Sequence, residues 1–88
     1  MRDRYLEVTF RKGTPVAAYL YFSGPRQKSV RTEEKGPGVL VDYAETGKPV
    51  GLEILFPGKT DLSEINRVLV ALGEMELGPE EGSPLKVA

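Results

Sequence analysis

The residues from Gly38 to Leu55, GVLVDYAETGKPVGLEIL, constrain the fold more than any other stretch of this chain. Two segments of alternating apolar residues flank a glycine-containing turn, and this pattern predicts a β-hairpin. Val39 and Val41 share one face of the first segment, and Leu52 and Ile54 share one face of the second. Pairing the two segments therefore builds one apolar face of a sheet.

Two turn geometries fit the centre of this hairpin. A two-residue turn at Thr46 and Gly47 pairs Val39 with Ile54, so that both apolar sets lie on the same side. A three-residue loop with Gly47 in the left-handed conformation suits the residues ETGK equally well, but it pairs Val39 with Glu53. The hydrophobic pattern favours the first register, and with it the two-residue turn.

Alternation elsewhere predicts strands over 5–10, 16–22 and 29–33, of which the last is a weak edge strand. Asp61, followed three residues later by Glu64, predicts a capping box for a helix from Leu62 to Leu72. Gly73 is the expected stop of that helix. Its apolar residues recur at helical spacing and predict one stripe that packs on the sheet.

These elements predict an α+β fold: an antiparallel sheet of four to five strands in meander order, with one C-terminal helix packed on one face. A chain of 88 residues has room for one small core. We expect a single domain over 1–77. The segment 78–88 contains glycine and proline and is expected to be a loosely ordered tail.

Composition limits the chemistry that the chain can perform. The sequence contains no His, no Cys and no Trp, which leaves no thiol nucleophile and no imidazole base or metal ligand. We therefore expect a protein that is not an enzyme and that has no cofactor, no catalytic residue and no metal site. The absence of a long apolar segment predicts a cytoplasmic protein without membrane attachment. A single Asn and a single Gln among many charged residues hint at a thermophilic source.

The face of the sheet that the helix leaves open is expected to be richer in apolar and aromatic residues than solvent contact requires. The candidate interaction residues on this outer face are Tyr5, Tyr19, Tyr21, Leu40, Asp42, Gly51, Glu53 and Leu55. Gly51 is expected to leave a gap among them. We predict that a protein surface covers this face, either a second copy in a symmetric homodimer or a different partner.

The hairpin segment and the strand that ends in YLYF resemble a family of small prokaryotic proteins of unknown function, DUF2283. The matching positions are Gly38, Asp42, Gly47, Gly51, Glu53, Ile54 and Leu55, and the resemblance extends over 5–57. Two positions depart from the family: the link RKGTP at 11–15 is basic where the family is acidic, and Ala44 replaces a turn carboxylate. The resemblance implies the fold, and it implies a protein-binding, antitoxin-like role because some members look like small partners of toxin-like proteins.

The sequence supports two other functions less strongly. Asp42 and Glu53 lie on adjacent strands of the outer face, so the alternative is a small-ligand or metal-binding protein that uses these carboxylates. Solvated acids that keep the face soluble are the ordinary interpretation. Tyr19 and Tyr21 suggest base stacking, but a net charge of -1 argues against a nucleic-acid binder, which ranks third.

Overall fold

The computed structural model describes residues 3–25, 27–82 and Leu85. Its strands are β1 (Tyr5–Arg11), β2 (Thr14–Tyr21), β3 (Arg31–Gly36), β4 (Val39–Tyr43) and β5 (Pro49–Leu55). A 3-10 turn (Pro57–Lys59) leads to the helices α1 (Leu62–Ala71) and α2 (Pro79–Gly82). The strands form one antiparallel sheet, which confirms the α+β prediction. None of the described helices has the length and apolar character that a bilayer crossing requires.

The strand order is β1-β2-β5-β4-β3, which differs from a simple meander because β5, rather than β3, lies beside β2. Burial explains this arrangement. β2 and β5 contribute Leu20, Leu52 and Ile54, all fully buried, and therefore occupy the middle of the sheet. β3 reads RTEEKG and lies at the edge, as predicted, where charged side chains discourage pairing with other chains. Its bounds differ from the prediction, which placed the strand over 29–33.

The second hairpin has the predicted register, with Val39 opposite Ile54 and Val41 opposite Leu52. The predicted two-residue turn is wrong. The amide of Ala44 donates to the carbonyl of Lys48 at 2.9 Å, and these residues enclose a three-residue loop. The register survives because a β-bulge lies next to this loop.

That bulge lies between two pairs of the β4–β5 ladder. Asp42 is opposite Gly51, but the next residue, Tyr43, is opposite Pro49. Val50 is therefore the extra residue, and it corrects the one-residue offset that the longer loop introduces. The bulge therefore allows the three-residue loop and the pairing of Val39 with Ile54 to occur in the same hairpin.

Helix α1 follows Asp61, which has extended backbone dihedral angles but makes no side-chain capping bond. The predicted capping box is therefore not formed. The Glu64 carboxylate instead accepts a hydrogen bond from Nε of Arg67 at 3.2 Å, one turn further along the helix. The predicted stop is confirmed, since Gly73 adopts a left-handed φ of 80° just beyond the helix.

The core lies between the sheet and α1, and we call the side of the sheet that faces it the inner face. Its buried members from α1 are Ile65, Val68 and Leu69. Alternation along the sequence also predicts inner-face positions for Phe10 and Phe56, but both are exposed, by 46% and 61%. Phe56 has a left-handed φ of 51°, which takes its side chain out of the alternation of β5. Phe10 lies where the ladder between β1 and β2 shifts register.

The segment after α1 is packed on the domain, although a loosely ordered tail was expected from 78 onward. Leu77 and Leu85 are both buried in the core. The helical spacing of α1 predicts that Asn66 faces outward. It instead donates to the carbonyl of Leu77 at 3.2 Å and accepts from its amide at 2.7 Å. Residues 83, 84 and 86–88 of the expected tail lie outside the described residues. The domain bounds 1–77 and 78–88 stay a prediction.

Candidate functional site: the outer face of the sheet

The outer face is the side of the sheet opposite α1, and its side chains form two rows that cross all five strands. The ring row consists, in strand order, of Tyr5, Tyr21, Gly51, Asp42 and Thr32. The carboxylate row consists of Glu7, Tyr19, Glu53, Leu40 and Glu34. Leu55 lies beside them, opposite Ala17. The structure thus places all eight candidate interaction residues on one face.

The tyrosines of this face are in contact with one another. The rings of Tyr5 and Tyr21 stack at a centroid distance of 4.5 Å and an interplanar angle of 17°. The ring of Tyr19 is tilted by 49° against Tyr21 at 4.6 Å. Tyr5 retains 39% of its surface exposed. These rings form one aromatic surface, since aromatic pairs at such distances attract beyond the effect of area burial alone.

The gap expected at Gly51 is filled by the ring of Tyr19. A Cβ atom added at residue 51 would lie 2.4 Å from ring and hydroxyl atoms of Tyr19. Only glycine lets the ring lie this close to the strand. The sequence shows the glycine, but the diagonal relation to Tyr19 follows only from the pairing of β2 with β5.

The Tyr19 ring ends at a carboxylate. Its hydroxyl donates to Oδ2 of Asp42 at 2.6 Å, and the hydroxyl of Thr32 donates to Oδ1 of the same side chain. Burial and the hydrogen bond to Asp42, in that order, raise the pKa of Tyr19 well above its ordinary value of about 10. Sequence analysis missed Thr32 because its position beside Asp42 follows only from the pairing of β3 with β4.

The two carboxylates proposed as a pair lie on adjacent strands at diagonal positions. Asp42 is opposite Gly51, whereas Glu53 is opposite Leu40. Both oxygens of Asp42 already accept hydrogen bonds from hydroxyl groups. Within the described part of the chain, no three or more acidic, His or Cys residues cluster in a way that could hold a metal ion.

The acids of the carboxylate row stand on alternate strands. Glu7 is on β1, Glu53 on β5 and Glu34 on β3, so neighbouring members are two strands apart, or about 9.6 Å. Glu7 accepts a hydrogen bond from the hydroxyl of Tyr21 at 3.2 Å. The side-chain carboxylates of Glu53 and Glu34 form no hydrogen bond or ion pair with other described residues. Tyr19 and Leu40 fill the spaces between the three acids.

A shallow cavity of about 110 Å³ borders this face at Tyr19 and Tyr21, and Pro25 and Lys48 contribute to its other walls. Pockets for small-molecule ligands are usually at least several hundred Å³ in volume. The cavity is thus smaller than such pockets and lies at the margin of the outer face.

Comparison with known protein families matches part of the chain. The family described as "Protein of unknown function (DUF2283)" matches residues 17–56. The chain resembles DUF2283. The match includes most of β2 and all of β3, β4 and β5, and it stops short of β1, to which the predicted resemblance extended. No curated protein and no solved structure gives a significant match to the chain. DUF2283 itself has no assigned function, so the resemblance leaves the function of the outer face to be inferred from its geometry.

Proposed function

We propose that the chain is a non-enzymatic protein-interaction module that self-associates or binds a protein partner, in the manner of an antitoxin, through the outer face or an edge strand. The observation that carries the proposal is the set of stacked tyrosines and half-buried leucines on the side of the sheet opposite α1. Surfaces with this aromatic and apolar content are typical of protein contacts.

The outer face is also suited to binding because its side chains are already fixed. Tyr19 is held by Asp42 and by its position over Gly51, and Tyr21 is held between two rings. Side chains that are ordered before binding lose little conformational entropy when a partner arrives. Tyrosines in such arrangements are common energetic centres of interfaces.

The two alternative functions receive less support. Two hydroxyl groups occupy the oxygens of Asp42, which argues against its use as a metal ligand together with Glu53. Nucleic-acid binding is disfavoured because the carboxylates beside Tyr19 and Tyr21 repel phosphate. The proposal therefore rests on protein contacts.

Leu40→Lys tests the proposal with little risk to folding. Leu40 lies between Glu53 and Glu34, which would both attract the new ammonium group, while the apolar contact with a partner is lost. Val70→Lys is the control, because Val70 is 58% exposed on α1 and lies away from the outer face. Both variants add one positive charge.

We expect sedimentation between about 1 and 500 μM, which spans ordinary transient affinities, to show self-association of the parent or, failing that, capture of a partner from a cell extract. The Leu40→Lys variant should lose either interaction, and Val70→Lys should retain it. A parent that stays monomeric and captures nothing would refute the proposal. Equal binding by both variants would exclude the outer face.

A further inference from the structure

Resting on the proposed function, we propose that the outer face binds the basic side of an amphipathic helix from a different protein, through the carboxylate row. The proposal starts from the distribution of charge. The two rows contain four carboxylates, those of Glu7, Glu34, Asp42 and Glu53, and no Lys or Arg. Within the described strands, alternation adds one basic residue to this side, Arg11, at the tip of the first hairpin.

Other basic residues already have acidic partners elsewhere in the domain. Arg31 and Lys35 on β3 both form ion pairs with Glu33, at 2.7 Å and 2.8 Å. Arg31 also lies over the ring of Tyr43, a core residue, which places it on the inner side of the sheet. Lys48 borders the outer face at the cavity beside Tyr19 and Tyr21, but the carboxylate row itself contains no Lys or Arg, and a basic partner would supply its counter-charges.

A second copy of the chain is a poor occupant of this face. Two outer faces brought together around a two-fold axis would place carboxylates against carboxylates, and like charges at an interface cost free energy that apolar contact must offset. Self-association, where it occurs, is better served by the free edge of β1. The charge pattern therefore selects a partner with the opposite sign.

The spacing of the carboxylate row distinguishes a polycation from a metal ion. Neighbouring acids stand on strands about 9.6 Å apart with Tyr19 or Leu40 between them, and no three acids of the described residues cluster as a metal site. The same spacing is close to the rise of about 10.5 Å over seven residues of an α-helix. Lys or Arg at every seventh position would meet Glu7, Glu53 and Glu34 in turn.

The side chains between the acids complete the match. Tyr19 and Leu40 alternate with the acids along the row, so an apolar residue midway between two cations would contact one of them. Cations near the tyrosine faces gain a further attraction from the rings. An extended strand fits less well, because residues on one of its faces repeat at about 6.6 Å.

The test uses a fluorescein-labelled synthetic peptide of Ala and Gln, with Arg at every seventh position and Leu midway between the arginines. A second peptide of identical composition carries its arginines on the opposite side from the leucines. Fluorescence anisotropy measures the Kd of each peptide at low salt, and amide chemical shifts locate the bound peptide on the protein.

Two triple variants with the same net charge separate the site from general electrostatics. Glu7→Gln with Glu34→Gln and Glu53→Gln neutralises the carboxylate row and keeps the shape of each side chain. The control is Glu45→Gln with Glu74→Gln and Glu76→Gln, acids outside the two rows. Thermal melting confirms that both variants fold.

We expect the first peptide, here called the spaced peptide, to bind the parent and the control variant with similar Kd. Its Kd for the carboxylate-row variant should be at least about tenfold higher. The rearranged peptide should bind the parent more weakly than the spaced one. Equal weakening by both triple variants, equal binding of both peptides, or shifts confined to the α1 side would overturn the proposal. Concentration-dependent shifts of the outer face without peptide would assign it to a second copy instead.

These outcomes are independent of the test of the proposed function. If sedimentation or capture depends on Leu40 while the peptide fails to bind, the interaction module stands and the basic partner is rejected. If the parent neither self-associates nor captures a protein, and binds the peptide only as weakly as the carboxylate-row variant does, both proposals fail.

Discussion

The inner and outer faces of this sheet are built from the same five strands, yet their side chains hold together by different means. On the inner face, fully buried Leu20, Leu52 and Ile54 pack against α1, and stability comes from removing apolar surface from water. On the outer face, Tyr19 bonds to Asp42 and the rings stack on each other while remaining partly exposed. A solvent-facing surface can therefore be ordered by directional contacts and still remain accessible to a partner.

The largest expected difference between the faces is in how far a Leu→Ala substitution lowers the free energy of unfolding. Leu52→Ala empties a site with no exposed surface and should lower the free energy of unfolding by about 2–5 kcal/mol. Leu40→Ala on the half-buried outer face should cost at most about 1 kcal/mol. Urea denaturation measures both. Equal costs would mean that the outer face is as tightly packed as the core.

The register of the second hairpin decides which side chains face α1 and which lie on the outer face. Gly47 has a φ of 89° and no atom near its missing Cβ, so Gly47→Val acts through backbone strain alone. We expect a loss of about 1–3 kcal/mol in the free energy of unfolding. Thr46→Ala, in the same loop, should change little. An unchanged melting temperature in Gly47→Val would contradict the left-handed assignment.

Gly51 tests the ring network itself. Gly51→Ala would displace the Tyr19 ring from the strand, and we expect a cost of about 1–3 kcal/mol. The same substitution in a Tyr19→Ala background should cost much less, because the clash is gone. A double-mutant cycle measures the coupling. If the two costs are equal, Tyr19 does not lie over Gly51.

Alkaline pH should act on the outer face through the Tyr19 hydroxyl. The fold raises the pKa of Tyr19 above its unfolded value, so the native state holds this proton more tightly. Its contribution to stability is complete below about pH 10 and is lost as the pH rises further. Urea midpoints between pH 8 and 11, a range chosen to bracket the ordinary pKa of about 10, should fall less steeply for Tyr19→Phe than for the parent. Parallel curves would contradict this coupling.

The smallest expected effect is that of divalent metal ions. Millimolar calcium or magnesium should leave the melting temperature unchanged beyond ionic-strength effects, because the oxygens of Asp42 are occupied and Glu53 is not opposite it. The variant Asp42→Asn with Glu53→Gln serves as the control. A saturable stabilisation of the parent that is lost in this variant would restore the ligand-binding hypothesis.

Alternation was sufficient to predict which residues of each strand share a face, because the side-chain period of two holds inside any regular strand. It also predicted the pairing of Val39 with Ile54, since only that register buries both sets. It could not predict the bulge at Val50. A bulge shifts the alternation by one residue, and although Pro49 and Gly51 on either side of Val50 are residue types common at bulges, they do not fix its position.

The contacts within the candidate site depended on information that is not local. Tyr19 reaches Asp42 only because β5 is inserted between β2 and β4, and a meander would separate these residues differently. The three-acid spacing of the carboxylate row likewise depends on strand order. Alternation identified the eight candidate residues but not Thr32 or Glu34, and the contacts among all of them required the topology.

Arg4 has a consequence for how the domain opens. Its guanidinium donates to both carboxylate oxygens of Glu81 and to the carbonyls of Met75 and Glu76, so the two charged partners are 77 positions apart in the sequence. Local opening at one end of a domain normally leaves the other end undisturbed. Here Arg4, just before β1, and the segment 75–81 after α1 hold each other in place. Fraying on either side releases the same contacts, which couples the opening of Arg4 to the opening of that segment.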